Sequence, residues 1–131
     1  GDTLFSAGCG RVFPRLGGRL VGLYASLQKL AALPVQTQVY CSHEYTLVNL
    51  CFAQQLEPHN QAIAERLQQV QAQRAVGKIT LPSNIADELA TNPFLRCHKR
   101  AVHLAAEAYA GVKLPDAFSV FGVLREWRSC W

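Results

Sequence analysis

Several features are missing from this chain, and each absence excludes something. No apolar run reaches the roughly 18 residues that a bilayer-spanning helix needs, so no membrane partner is expected. The opening Gly1-Asp2 carries neither an initiator Met nor a basic stretch ahead of an apolar one. No signal peptide is read there, and the beginning is expected to be processed or cut. The five cysteines, Cys9, Cys41, Cys51, Cys97 and Cys130, are odd in number and scattered. That argues against a disulfide framework and for a reducing, cytoplasmic setting. The histidines form neither an H-x-H-x-D-H nor an H-E-x-x-H pattern, so no complete metal-hydrolase motif is present.

What is there is globular in composition. Of 131 residues, 50% are apolar and 17% charged, at most one ordinary domain by length. The net charge of +4 suits nucleic acid or a small anion equally. Because the arginines are not interleaved with aromatics along a stripe, nucleic acid is not the expected partner.

Asp2-Thr3-Leu4-Phe5 is β-prone, and Ser6 to Gly10 reads as a turn or open loop. Arg11 to Arg19, with Pro14 and Gly17-Gly18, is irregular and basic. Leu23, Leu27 and Leu30 predict a helix from Leu20 that Pro34 ends. Residues 36–41 read as a second strand with a buried apolar end, Val39-Tyr40-Cys41, running into Ser42, His43 and Glu44. A helix over 44–56 follows, its stripe running Leu47 or Val48, Cys51 or Phe52, then Gln55 or Leu56. Asn60 caps the next, with Ile63, Leu67 and Val70 inward and Gly77 as terminator. Three more are predicted over 84–90 behind an N-cap Ser83, over 100–110, and from Pro115-Asp116 onward. Two strands cannot hold a sheet core, so the rest of a sheet is expected outside this chain.

If those strands are neighbours, Asp2 and His43 converge at one end of a sheet, where a carboxylate and an imidazole can share a divalent metal. Two ligands do not close a zinc site, and the plainer alternative is a strand-end histidine hydrogen-bonded to a neighbour. Arg125 and Arg128 lie three apart on one helical face, and Arg11 follows the Asp2 strand. Such a set suits a carboxylate-bearing ligand, or merely the negative end of a terminal helix. Ser42 adjoins His43, but neighbouring side chains on a strand point apart, so no serine nucleophile is read. Gly8-Cys9-Gly10 lacks the Lys-Ser/Thr of a phosphate loop.

Taken in order, Gly1-Asp2-Thr3-Leu4-Phe5, Gly8-Cys9-Gly10-Arg11 and Tyr40-Cys41-Ser42-His43-Glu44-Tyr45-Thr46 resemble the hydroxyacylglutathione hydrolases, also called glyoxalase II. Glu57-Pro58, Leu81-Pro82-Ser83, Thr91-Asn92-Pro93-Phe94-Leu95-Arg96 and Leu124-Arg125-Glu126-Trp127-Arg128 continue the resemblance. It implies an α+β chain: residues 1–56 as the C-terminal part of a metallo-β-lactamase-type αββα sandwich, and 57–131 as a helical, glutathione-binding domain. It implies two divalent metal ions, zinc or else iron or manganese, with Asp2 bridging them and His43 on the second, both catalytic. A metal-bridging hydroxide would attack the thioester of an S-(2-hydroxyacyl)glutathione such as S-D-lactoylglutathione. Arg11, Tyr45, Arg125 and Arg128 match residues that contact the glutathione. Phe13 stands where tyrosine is frequent, and Ser42 where glycine is usual. The family's histidine run lies upstream of the residue matching Asp2, so this chain is expected to be inactive alone. A second reading is a non-catalytic helical interaction module that self-associates through its unfinished sheet.

Overall fold

The computed structural model describes residues 2–12 and 19–131. The expectations for Phe13, Pro14 and Gly17-Gly18 lie outside the described residues. The chain is α+β, as expected: two small antiparallel sheets and six α-helices among the described residues.

The first sheet is a tight hairpin. β1 (Leu4–Phe5) pairs with β2 (Gly8–Cys9), placing Leu4 opposite Cys9 and Phe5 opposite Gly8. Residues 6–10 therefore do not form an open loop; Ala7 takes φ 60° and turns the chain back. The second sheet joins β3 (Gln38–Val39) to β4 (Ser83–Asn84). The expected strand over 36–41 shrinks to this pair. Val39 is buried but Tyr40 is 69% exposed, because the pairing with β4 ends at Val39. The Asp2 segment and β3 belong to different sheets and are not strand neighbours.

The helices run close to expectation. α1 (Leu20–Ala31) buries Leu27. α2 (Thr46–Leu56) starts two residues late, because the Glu44 carboxylate is engaged by the Thr80 amide at 3.2 Å and by the Thr80 hydroxyl. Its inner face carries Phe52 and Leu56 as expected, but Leu47 and Val48 are exposed and the polar Asn49 is buried in their place. In α3 (Gln61–Ala75) Asn60 accepts the Ile63 amide, Ile63, Leu67 and Val70 are buried, and Gly77 at φ 73° ends the helix. The N-cap of α4 (Ile85–Thr91) is Asn84, whose Oδ1 accepts the Asp87 amide at 2.8 Å. Ser83 is not the cap, since its hydroxyl donates to Glu88. After a 3-10 turn, Pro93–Leu95, come α5 (Arg100–Ala110) and α6 (Ala117–Ser129), the latter capped by Asp116.

One apolar core runs through both halves of the chain. Leu4, Leu27, Phe52, Phe94, Val102 and Phe121 belong to a single cluster, and a smaller one joins Ala7 to Leu50, Leu67 and Val70. Burying each large side chain contributes about 1.5–3 kcal/mol, so these clusters set how α2, α5 and α6 meet.

A buried polar knot fastens the hairpin to the helices. The Glu88 carboxylate, 0% exposed, accepts the Ala7 amide at 2.8 Å, the Asn92 amide group at 3.0 Å and the Ser83 hydroxyl. Arg66 completes it with an ion pair at 2.9 Å. Asn92 also donates to the Gly8 carbonyl at 3.0 Å, and Arg66 to the Ser6 hydroxyl at 2.6 Å. Replacing Glu88 by Ala strands the guanidinium and the Ala7 amide. The expected loss is roughly 3–5 kcal/mol, read as a lower urea midpoint, against a far smaller loss for the exposed Glu65→Ala.

Candidate functional site

A cleft of about 620 Å³ opens between the hairpin, the start of α2 and the end of α6. Asp2, Arg11, His43, Tyr45, Arg125 and Arg128 all line it. The structure thus brings together every site residue expected from the sequence, although the two strands expected to deliver Asp2 and His43 do not pair. Hydrogen bonds close that gap. Ser42 Oγ donates to Asp2 Oδ1 and lies 2.9 Å from His43 Nδ1. The expectation that Ser42 and His43 point apart fails because residues 42–43 form a bend, not a strand.

Aromatic rings hold the imidazole from the side. The His43 and Tyr45 rings are parallel within 1° at 5.0 Å, and the Phe5 ring lies 6.0 Å from the His43 ring. Phe5 comes from β1, so the hairpin that carries Asp2 also fixes the histidine ring.

The three arginines differ in what holds them. Arg125 is 8% exposed, and its Nη1 donates to the carbonyls of Cys9 at 3.0 Å and Gly10 at 3.1 Å. Its guanidinium also lies 5.2 Å from the centre of the Phe94 ring. Arg125 Nε is buried with no hydrogen-bond partner among the described residues. Arg128 donates to Asn49 Oδ1 at 3.3 and 3.4 Å, while Asn49 Nδ2 donates to the Ser6 carbonyl at 3.0 Å. Arg11 is exposed. None of the three forms an ion pair among the described residues. Burial, then the charges of Arg125 and Arg11, presses the Arg128 guanidinium below its usual pKa. The lining carries the carboxylate of Asp2 against these three cations, a local surplus of positive charge.

The hairpin fits this cleft closely. A Cβ on Gly10 would collide with the Asp2 carbonyl, and one on Gly8 would meet Asn49 Nδ2 at 2.5 Å. Both glycines are therefore demanded by close approach rather than by a turn. Asn49, Asn92 and Glu88 escape a reading from sequence alone, because buried polar residues on helices look like solvated ones until the fold is known.

Among the described residues no three His, Cys, Asp or Glu side chains stand together as a metal site. Asp2 and His43 form a pair, and a pair does not hold a dinuclear centre.

Residues 44–131 match the family model described as Hydroxyacylglutathione hydrolase C-terminus. The chain belongs to that family. It is 54% identical over 128 residues to the hydroxyacylglutathione hydrolase of Alkalilimnicola ehrlichii, covering 98% of this chain and 49% of that protein. The protein of the same name from Methylobacillus flagellatus is 52% identical, with 98% and 49% covered. That from Xanthomonas campestris pv. campestris is 45% identical, with 100% and 50% covered. The chain therefore spans about half the length of the curated relatives it matches. No helix among the described residues is long and apolar enough to cross a membrane.

Two predictions follow from the different supports of the arginines and from the buried thiols. Arg125→Ala leaves two carbonyls unpaired and is expected to cost roughly 1.5–3 kcal/mol in urea unfolding. Arg11→Ala should stay within about 0.5 kcal/mol of the parent. Burial raises the Cys9 thiol to about 11, against the lowering effect of Arg125, and burial raises the Cys97 thiol to about 12. A thiol that holds its proton more tightly when folded contributes stability that is complete below the ordinary thiol range, near about 8.5. That contribution is lost as pH rises towards the folded values. The urea midpoint should fall over that alkaline interval, and fall less in Cys97→Ala.

Proposed function

We propose that this chain is the glutathione-binding, C-terminal part of a metal-dependent hydroxyacylglutathione hydrolase, acting on the thioester of an S-(2-hydroxyacyl)glutathione. The observation that carries this is the cleft shared by Asp2, His43 and three arginines that lack ion-pair partners among the described residues. Glutathione is an anionic tripeptide, and a carboxylate placed there supplies the missing acceptor. The orphaned Arg125 Nε supports the same assignment, since a buried donor left unpaired costs about 1–3 kcal/mol.

In this reading residues 1–56 complete a metal-binding domain and residues 57–131 form the helical glutathione side. Asp2 and His43 contribute to a centre of two divalent ions, zinc or else iron or manganese, whose remaining ligands come from outside this chain. No reaction step is assigned to the chain alone, and it should be inactive by itself. Arg11, Tyr45 and Arg128 face the thiol tripeptide, with Arg125 behind them.

The test joins this chain to the preceding half of the Alkalilimnicola ehrlichii relative. The fusion should hydrolyse S-D-lactoylglutathione and the 131-residue chain should not. Asp2→Asn or His43→Ala in the fusion should lower kcat roughly 100-fold, and Arg128→Ala should raise KM roughly tenfold. A fusion as active with Asp2→Asn as without it would overturn the assignment.

A second reading, a non-catalytic module that self-associates, has one observation in its favour. Leu33, Val35 and Tyr40 are 41%, 55% and 69% exposed around the short β3 strand. Concentration-dependent mass in sedimentation, abolished by Val35→Lys, would favour it.

A further inference from the structure

We infer that Ser42 is a positioning residue that fixes the tautomer of His43. The deduction is a matter of counting protons. A serine hydroxyl has one hydrogen to donate and lone pairs with which to accept. An ionised carboxylate only accepts, so the Ser42 hydrogen goes to Asp2 Oδ1. Ser42 Oγ then has only lone pairs left to offer His43 Nδ1, 2.9 Å away. That contact is a hydrogen bond only if Nδ1 carries the proton. The neutral imidazole is therefore the Nδ1–H form, with its lone pair on Nε2. His43 Nε2 has no hydrogen-bond partner among the described residues, and the ring lines the cleft. Tyr45, parallel to the ring within 1°, and Phe5 hold the plane so that the hydrogen bond can act on a fixed ring.

Ser42 thus does two things at once. It ties the Asp2 segment to the 42–43 bend, which the sheets leave unconnected, and it turns the unprotonated nitrogen of His43 outward. A lone pair on Nε2 can ligate a metal ion or accept a proton, whereas an N–H there can do neither. The use to which Nε2 is put rests on the proposed function; the tautomer does not. With glycine at this position both bonds vanish and the ring keeps only its aromatic neighbours.

The experiment is nitrogen-15 NMR of the His43 ring in the full 131-residue chain, at a pH where the ring is neutral, with Ser42→Ala, Ser42→Gly and Ser42→Thr beside the parent. The parent and Ser42→Thr should show a protonated Nδ1 and an unprotonated Nε2. Ser42→Ala and Ser42→Gly should shift both ring signals towards the Nε2–H form that free histidine favours, with the remaining amide spectrum unchanged. A parent ring protonated at Nε2, or a tautomer unmoved by Ser42→Ala, would overturn the inference, and the first of these needs no variant to fold. In the fusion with the Alkalilimnicola ehrlichii half, Ser42→Ala should weaken metal binding roughly 10- to 100-fold, with Ser42→Thr restoring it. Absence of thioesterase activity in the parent fusion would count against the proposed function and leave the ring signals to decide the tautomer.

Discussion

A buried carboxylate organises this molecule. Glu88 has no contact with solvent, yet it accepts a backbone amide, a side-chain amide, a hydroxyl and a guanidinium. An ionised group in such a place is tolerable only because every lone pair finds a donor. The donors come from four separate parts of the chain: the hairpin turn, α3, β4 and the end of α4. The hairpin has only two residues in each strand, too few to be stable alone. Glu88 and Asn92 stand in for the ladder partners it lacks, and Ala7 is held at φ 60° by the bond to its amide.

From that anchorage the cleft follows. With the turn fixed on α4, the returning strand passes over α6, and Cys9 and Gly10 present their carbonyls to Arg125. The leading strand sets Phe5 beside His43 and brings Asp2 to Ser42. Asn49 links the turn to Arg128 from the other side. Each wall of the cleft is thus tied to the same six-residue hairpin, and small changes at Gly8 or Gly10 are transmitted to both the acidic and the basic lining. The rigidity matters because a charged ligand is recognised well only by groups already held in place.

The helices were legible in the sequence because their signals are local. Ile63, Leu67 and Val70 repeat at helical spacing, Asn60 and Asp116 cap, and Gly77 terminates. The residues of the cleft were legible by resemblance to a family, and the structure brings all six to one surface. What escaped is non-local. Nothing in the spacing of Gly8-Cys9 announces a strand, since its two-residue pairing with Leu4–Phe5 is held by Glu88 on the Ala7 amide and Asn92 on the Gly8 carbonyl, side chains more than 80 positions away. Residues 40 and 41 look like a buried strand because Tyr and Cys are β-prone, but burial requires a neighbour that β4 does not extend to supply. Ser83 and Asn84 are both good caps, and the choice fell to Asn84 once Glu88 claimed the serine hydroxyl.

The same contrast separates the three arginines. Sequence presents them as equivalent cations, but their surroundings grade them from structural to available. Arg125 has one nitrogen locked to two carbonyls and another buried without a partner among the described residues, so moving it disturbs the hairpin. Arg128 leans on one amide oxygen through two long hydrogen bonds, which an incoming carboxylate can replace with stronger, charge-assisted ones. Arg11 is exposed and, among the described residues, held by no such bond, so ordering its side chain costs entropy that Arg125 has already lost. In a cleft where all three repel one another, the ligand that neutralises them relieves a strain the fold itself maintains. Arg128, already partly buried and held by long bonds that a carboxylate can replace, is where that relief should be largest.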